Sequence, residues 1–198
     1  MCNEVARRLA LGLIRDDIHE LRIPLRFPEG LPNLAPLDSI RITDPTLILR
    51  AAGSETEAVV RRWSWLGHVG RPVYNFRSDG RRLANDATGG RCLIPVDGFY
   101  EFTDPPADAP RRAKKLKWRF TVAGSPWFCL AGLWRTDAAV GEAFTLLTCP
   151  PGPDVKPYHE RQVVVPERAQ WAGWLDGSLP TDAVCRPAPA RTLDVAPA

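Results

Sequence analysis

The sequence predicts a single α+β domain built on antiparallel sheet, for three reasons. Its 198 residues are enough for one well-packed domain and few for two. Short runs rich in β-branched and aromatic residues alternate with breaks of Gly, Asp and Pro, and helical spacing occurs only near the two ends. The 20 prolines disfavour a helical bundle, because proline removes a backbone donor and restricts φ.

The first predicted element is a helix over residues 5–21. Val5, Leu9, Leu13 and Ile18 recur there at helical spacing among charged residues. Pro24 ends this pattern. The next stretch, residues 23–45, contains five prolines and predicts an extended, turn-rich connection.

Strands dominate the rest of the chain. They are predicted at residues 46–51, 57–66, 92–95, 99–103, 116–122, 127–133, 144–148 and 163–165. A late amphipathic helix is predicted over residues 167–175. No internal repeat or long hydrophilic linker divides the chain, so we expect one domain over 1–198, with its core at about 2–175 and a peripheral tail at 177–198.

The positive charge is concentrated in the middle of the chain, although the formal net charge is only +3. A total this small does not by itself require a nucleic-acid partner. Solvated loops and a phosphate-binding face are both compatible with such clusters. The residues concerned are Arg61, Arg62, Arg77, Arg81, Arg82, Arg91, Arg111, Arg112, Lys114, Lys115 and Lys117.

The five cysteines form no Cys-x-x-Cys pair and no His/Cys spacing of a zinc site, so we expect neither a metal nor another cofactor. An odd, scattered set in a chain without a signal peptide is typical of a reducing cytoplasm. No apolar run approaches the ~18 residues of a membrane span. We therefore expect a soluble, cytoplasmic protein that acts as a monomer and has no membrane partner.

Cys2 is the residue with the most distinctive chemistry. Once Met1 is removed, Cys2 carries a free α-amino group and a thiol on neighbouring carbons. The amine of such a 1,2-aminothiol condenses with an aldehyde, and the sulfur then closes a five-membered thiazolidine ring. The alternative is that Cys2 is an arbitrary second residue with no role in chemistry.

Four further polar residues interrupt the apolar strand pattern. Glu101 and His159 are candidates for proton transfer, and Asn75 for orienting an amine or a carbonyl. Arg77 is a candidate phosphate ligand. The alternatives stay open at this point: Glu101 as a solvent-facing strand residue, His159 and Asn75 as turn residues, and Arg77 as a charge at a strand edge.

The order and spacing of these residues resemble the SOS-response-associated peptidase (SRAP) family of abasic-site processing proteins. The most specific part is the run Arg-Cys-Leu-Ile-Pro-x-Asp-Gly-Phe-Tyr-Glu at residues 91–101, together with the initial Met-Cys. The remaining matches are residues 72–78, residues 146–148 and His159-Glu160-Arg161.

The resemblance implies an antiparallel, β-barrel-like core with peripheral helices and a channel for single-stranded DNA. In that family, the terminal cysteine traps the aldehyde of an abasic site as a thiazolidine DNA–protein crosslink. By position, Cys2 is the nucleophile, Asn75 positions it, Glu101 is the acid/base of ring closure or reversal, and His159 assists Schiff-base formation. The resemblance also implies possible abasic-site lyase activity and self-removal of Met1. The implied DNA contacts are Arg77, Arg81, Phe102, Thr148 and Arg161.

Several positions depart from the family pattern. Ser64 stands where the family has glycine, and Gly67 where it has proline. Phe76 replaces a small alanine beside the candidate site. An arginine found in some members near the start is replaced by Glu4, an acid near the expected DNA path. These changes are expected to weaken DNA affinity without removing the nucleophile.

Two other functions remain as alternatives. One is a cysteine peptidase or amidase in which Cys2 acts with His159, oriented by Asn75 or Glu101. The other is a non-catalytic single-stranded DNA binding module, which would bind through arginines and aromatic residues alone. A peptidase would cleave many peptides per molecule, whereas a crosslinking protein is consumed in its reaction. A binding module would behave unchanged after replacement of Cys2, whereas a crosslinking protein would not.

Overall fold

The computed structural model describes residues 2–53, 55–110 and 112–198, which form mostly short strands with a few helices. The first strands are β1 (Glu4–Arg7), β2 (Leu25–Arg26), β3 (Leu37–Arg41), β4 (Pro45–Ala52), β5 (Glu55–Trp63), β6 (Trp65–Leu66), β7 (Pro72–Val73) and β8 (Asn75–Arg77). The later strands are β9 (Gly89–Val96), β10 (Gly98–Thr103), β11 (Leu116–Val122), β12 (Phe128–Asp137), β13 (Gly141–Cys149), β14 (Gln162–Val163) and β15 (Leu193–Pro197). The helices are α1 (Leu11–Glu20), α2 (Trp171–Asp176) and α3 (Thr181–Val184), and a 3₁₀ turn (Arg168–Gln170) precedes α2.

Two sheets form the scaffold. The smaller has the strand order β15-β11-β10-β1-β3, with antiparallel pairing throughout. The larger follows the path β14-β13-β12-β9-β4-β5-β2, and β8 pairs with β13 beside this path. A short parallel pairing between β5 and β13 joins Arg62 to Ala143 and Trp63 to Phe144, which closes β13, β12, β9, β4 and β5 into a ring. The predicted α+β class with a barrel-like core is therefore confirmed.

The apolar side chains form two clusters, one on each side of the larger sheet. The inner cluster lies between the two sheets and includes the stacked rings of Trp63 and Phe144, with centroids 6.2 Å apart. The outer cluster lies under the helices and contains Trp127, Trp171 and Trp174. Because burying a large apolar side chain stabilises a fold by roughly 1.5–3 kcal/mol, these two layers hold the strands in one arrangement.

The predicted helix over residues 5–21 is wrong at its start. Residues Glu4–Arg7 form β1, and helix α1 begins only at Leu11. Val5 pairs with Phe99 on one side and with Ile40 on the other, and all four residues of β1 are buried. An amphipathic helix would leave one side of this segment in water, whereas a central strand is covered on both edges.

The structure also differs from the expectation at two later places. The run over residues 57–66 is split into β5 and β6 at Ser64, which has a φ of +90°. The tail after Gly177, expected to be peripheral, contributes α3 and the edge strand β15. Asp154 accepts hydrogen bonds from the backbone N–H groups of Arg191 and Leu193, so this end of the chain is attached to the core.

Candidate active site

Cys2 lies two residues before β1, the strand between β10 and β3 in the smaller sheet. Its side chain is fully buried in the inner cluster, and Sγ donates a hydrogen bond to the backbone oxygen of Glu4, at 3.4 Å. Burial, followed by the negative charge of Glu101, raises the pKa of the Cys2 thiol well above its ordinary range. The sulfur is therefore held as a neutral thiol at neutral pH.

Glu101 lies against the backbone nitrogen of Cys2. Strand β10 pairs with β1 in a register that joins Val5 to Phe99, which brings the end of β10 beside the start of the chain. The Glu101 side chain is 1% exposed. Burial raises the pKa of Glu101 to about 7, and a hydrogen bond from the backbone N–H of Cys2 opposes part of this rise. A carboxyl group with this pKa can both give and take a proton near neutral pH.

Asn75 contacts the carbonyl group of Cys2, whereas Glu101 contacts its nitrogen. It begins β8, which pairs in parallel with β13 so that Asn75 lies opposite Leu146. Its Nδ2 donates a hydrogen bond to the carbonyl oxygen of Cys2, at 2.7 Å. Among the described residues, its buried Oδ1 has no hydrogen-bond partner and is left as an acceptor beside Cys2. The amide thus restrains Cys2 by its carbonyl and keeps a second polar atom for the nitrogen or for a ligand.

His159 is the last residue of a helical turn, called here the His159 turn. This turn is packed onto the smaller sheet. The ring of Tyr158 contacts the rings of Trp118 and Phe120, with centroids 4.9 and 5.4 Å away. The backbone N–H of Arg161 donates a hydrogen bond to Nδ1 of His159, at 2.9 Å. Nδ1 also lies 3.1 Å from the backbone oxygen of Arg161, so the backbone of Arg161 holds the ring at this nitrogen in either neutral tautomer. Burial lowers the pKa of His159, so the neutral ring is the dominant form at neutral pH.

A cleft of about 380 Å³ opens at this group and is called here the reaction cleft. It is lined by Asn3, Glu101, Phe102, Lys115 and His159. The structure therefore brings Asn75 and Glu101 to the two sides of the Cys2 backbone, and His159 to the same cleft as Glu101. Lys115 was not predicted as a site residue. The sequence signal for it was only its place in a basic run, because its position beside His159 depends on the packing of distant segments.

Two of the predicted DNA-binding residues, Arg77 and Arg81, are exposed. Arg77 is two residues after Asn75 on β8, so the two side chains leave the same face of the strand. The guanidinium of Arg81 lies over the ring of Phe76, 4.6 Å from its centroid. The bulky Phe76 therefore supports an arginine, in a position where a smaller side chain would offer no ring. Phe102, a third predicted contact, is half-buried in the wall of the reaction cleft.

The other two predicted DNA-binding residues are engaged within the protein. Thr148 is buried, and its hydroxyl contacts the backbone oxygen of Phe76. Arg161 donates hydrogen bonds to the carboxylate of Asp79, at 3.1 Å for Nη1, and to the backbone oxygen of Thr148, at 2.9 Å. In this arrangement Thr148 and Arg161 connect β8, β13 and the His159 turn, and any contact with DNA would require Arg161 to exchange Asp79 for phosphate.

Within the described part of the chain, no group of three or more His, Cys, Asp or Glu side chains is placed to hold a metal ion. Among the same residues, no helix has the length and apolar character needed to cross a membrane. All five cysteines are unpaired thiols.

Three solved structures share the fold over nearly the whole chain. A protein from Bordetella bronchiseptica is 22% identical, with a TM-score of 0.68, and the match covers 100% of this chain and 99% of that one. A protein from Bacteroides thetaiotaomicron is 16% identical, with a TM-score of 0.71 and coverage of 99% and 91%. A phage-related protein from Bordetella bronchiseptica is 17% identical, with a TM-score of 0.71 and coverage of 100% and 94%.

No curated protein matches the chain. The model of one protein family, described as SOS response associated peptidase (SRAP), matches residues 33–198. This match includes β8, β10 and the His159 turn, and therefore Asn75, Glu101 and His159. Since it extends over most of the chain, the protein belongs to the SRAP family, which associates it with the response to DNA damage.

Proposed function

We propose that this protein recognises abasic sites in single-stranded DNA and traps their aldehyde through Cys2 as a thiazolidine crosslink. The observation that carries the proposal is the contact between the Cys2 backbone nitrogen and the buried Glu101 carboxylate. After removal of Met1, that nitrogen is the α-amine of the chain. The Glu101 carboxyl group can therefore accept a proton from that amine or donate one to it. Membership of the SRAP family supports a role in DNA damage.

The reaction begins at nitrogen rather than at sulfur. The neutral α-amine attacks the aldehyde of the ring-opened sugar and forms a carbinolamine, whose hydroxyl leaves as water when an acid protonates it. Protonated Glu101 is the acid in the cleft, and the neutral His159 ring, which lines the same cleft, assists by hydrogen-bonding the hydroxyl. The product of this step is an imine between Cys2 and the sugar.

The second step closes the ring. The Cys2 sulfur bonds to the carbon of the protonated imine, and the electron pair of the C=N bond moves to nitrogen, which becomes a ring amine. The thiol proton passes to the Glu101 carboxylate, which gave up its own proton in the first step. One water is released overall for each crosslink. Because the pKa of the thiol is raised by burial, the sulfur needs this base, and Glu101 is present as both acid and base near its pKa of about 7.

The electrostatics of the site disfavour a cysteine peptidase. Such an enzyme pairs a thiolate with an imidazolium, which lowers the pKa of the cysteine and raises that of the histidine. Here both shifts have the opposite sign, since burial raises the pKa of Cys2 and lowers that of His159. These shifts favour attack by an amine, with a protonated thiol as the second nucleophile.

Single-stranded DNA is the expected substrate because Cys2 is fully buried at the bottom of the site. A sugar can reach it only when it is turned out from base stacking, which is least costly in a single strand. Arg77 is exposed on the same strand as Asn75, which supports a role for it in holding a phosphate close to such a sugar.

The test uses an oligonucleotide in which uracil has been excised to leave an abasic site. We expect a heat-stable adduct on denaturing gels, and an intact mass equal to the protein without Met1 plus the DNA minus one water. Cys2→Ala should give no stable adduct. The matched control is Cys185→Ser, which removes another thiol, partly exposed and far along the chain, and should leave the adduct unchanged.

A folded wild-type protein lacking Met1 that forms no adduct would refute the proposal. So would an undiminished adduct with Cys2→Ala, because the thiazolidine needs that sulfur. Repeated cleavage of peptides that depends on Cys2 would instead indicate the peptidase.

A further inference from the structure

A second cleft adjoins the reaction cleft on the outer face of the smaller sheet. It has a volume of about 330 Å³ and is called here the flanking cleft. It is lined by Asn3, Glu4, Arg41, Ile42, Phe102 and Lys117. Asn3 and Phe102 line both clefts, so one continuous surface leads from the reaction cleft to the flanking cleft.

The strand register explains why these side chains meet. Val5 and Phe99 are paired and both point into the core, so their neighbours Glu4 and Tyr100 point to the outer face. On that face, Glu4 pairs with Arg41 across β1 and β3. Phe102 pairs with Lys117 across β10 and β11. The outer face therefore presents Phe102 and two cations beside the reaction cleft.

The charges in the flanking cleft are arranged around Glu4. Its carboxylate is 5% exposed and accepts a hydrogen bond from Nζ of Lys117, at 2.7 Å, while Nε of Arg41 lies 3.9 Å from its other oxygen. Burial acts to raise the pKa of Glu4, but the hydrogen bonds from Lys117 and Ser39 outweigh it and leave the pKa lowered. The carboxylate is therefore ionised, and the cleft keeps one positive charge in excess.

Both cations are accessible to a ligand. The side chain of Arg41 is 69% exposed, and that of Lys117 is 28% exposed. Nζ of Lys117 lies 3.8 Å from the centroid of the Tyr100 ring and 6.0 Å from that of Phe102. The ammonium is thus fixed between an internal carboxylate and two aromatic rings, at the mouth of the cleft.

We infer that the flanking cleft binds the nucleotide next to the lesion, with its phosphate on Arg41 and Lys117 and its base on Phe102. The inference rests on the proposed function, because it takes the sugar at Cys2 as the neighbouring unit of the same strand. Charge complementarity and continuity with the reaction cleft support this occupant. Glu4 is then a positioning residue: it orients Lys117 and lowers the attraction for phosphate.

The test measures equilibrium binding of single-stranded DNA that contains a tetrahydrofuran analogue of the abasic sugar. This analogue has no aldehyde, so binding is measured without any crosslinking. Arg41→Ala should weaken binding about three- to tenfold and lower the salt dependence by about one phosphate contact. Glu4→Gln keeps an acceptor for Lys117 but removes the negative charge, so it should tighten binding and raise the salt dependence. The control is Arg15→Ala, an exposed arginine on α1 beyond the larger sheet, which should bind as wild type does.

Two truncated oligonucleotides locate the contact. One ends directly 5′ of the analogue and the other directly 3′ of it. The effect of Arg41→Ala should disappear with one of them and persist with the other. Equal behaviour of Arg41→Ala, Glu4→Gln and Arg15→Ala on the full oligonucleotide would overturn the inference, as would an Arg41→Ala effect that survives both truncations. Failure of the crosslinking assay would leave these binding results intact, so the two proposals fail separately.

Discussion

Replacement of Ser64 by glycine is expected to stabilise the protein. Ser64 lies between β5 and β6 with a φ of +90°, a region that side chains with a Cβ rarely adopt. Its side chain is fully buried, and its hydroxyl has no hydrogen-bond partner among the described residues. Its backbone N–H donates to the oxygen of Phe144, at 2.7 Å, so the chain cannot relax without losing a bond to β13.

The size of the effect follows from three contributions. The positive φ costs about 1 kcal/mol in a residue with a Cβ. The buried hydroxyl without a partner costs about 1–2 kcal/mol. Against these, the added freedom of glycine in the unfolded chain and the lost side-chain contacts cost about 1 kcal/mol. The Ser64→Gly variant should therefore gain about 1–2 kcal/mol, which for a chain of this length is a rise in Tm of about 2–8 °C.

Urea unfolding followed by circular dichroism measures this difference, with Ser64→Ala as the comparison. Alanine removes the hydroxyl but keeps the Cβ, so it should recover only the hydroxyl contribution. The difference between the two variants then measures the relieved backbone strain less the roughly 1 kcal/mol that glycine costs, so the two should be about equally stable. A Ser64→Gly protein that is less stable than wild type, or about 1 kcal/mol less stable than Ser64→Ala, would show that the φ value at this position imposes no strain.

Two further substitutions test the site and its support. Glu101→Gln should slow adduct formation about 100-fold. It should also abolish the change in rate near pH 7, because an amide cannot titrate where the carboxyl group has its pKa of about 7. A quenched time course at several pH values measures the rate and its pH dependence. An unchanged pH profile would remove Glu101 from the proton transfers. Asp97→Asn should destabilise the fold by about 3 kcal/mol, because the Asp97 side chain is 8% exposed and pairs with Arg8 and Arg119. The control is Asp38→Asn: the Asp38 side chain is 83% exposed and lies 3.6 Å from Arg8, so this change should alter stability by less than about 0.5 kcal/mol. Denaturant unfolding compares the two variants, and equal losses of stability would contradict this account.

Local sequence pattern was sufficient for most of the sheet. The strands predicted at residues 46–51, 116–122 and 144–148 lie within β4, β11 and β13, because these runs are rich in residues that fit a pleated, half-buried surface. The late helix is also present, preceded by a 3₁₀ turn. The pairing of β5 with β13, which closes the ring, joins residues far apart in the chain and has no local signal.

The site was harder to predict than the strands, since burial there depends on pairing. Glu101 stands between aromatic residues, where alternation alone favours a solvent-facing side chain. Its actual burial follows from the register of β10 with β1, which turns Glu101 toward Cys2. Arg161 was predicted to contact DNA but forms an ion pair with Asp79. This pair depends on two segments that only the fold brings together.

The error over residues 5–21 and the candidate chemistry of Cys2 have the same origin. A chain terminus that begins a surface helix is usually free to move, and a nucleophile there could not be held in one geometry. In this protein the first residues instead form β1 between β10 and β3, with the carbonyl of Cys2 bound by Asn75 and its nitrogen beside Glu101. The strand pairing that overrides the helical pattern is therefore what holds Cys2 in one geometry, as the proposed role of a nucleophile requires.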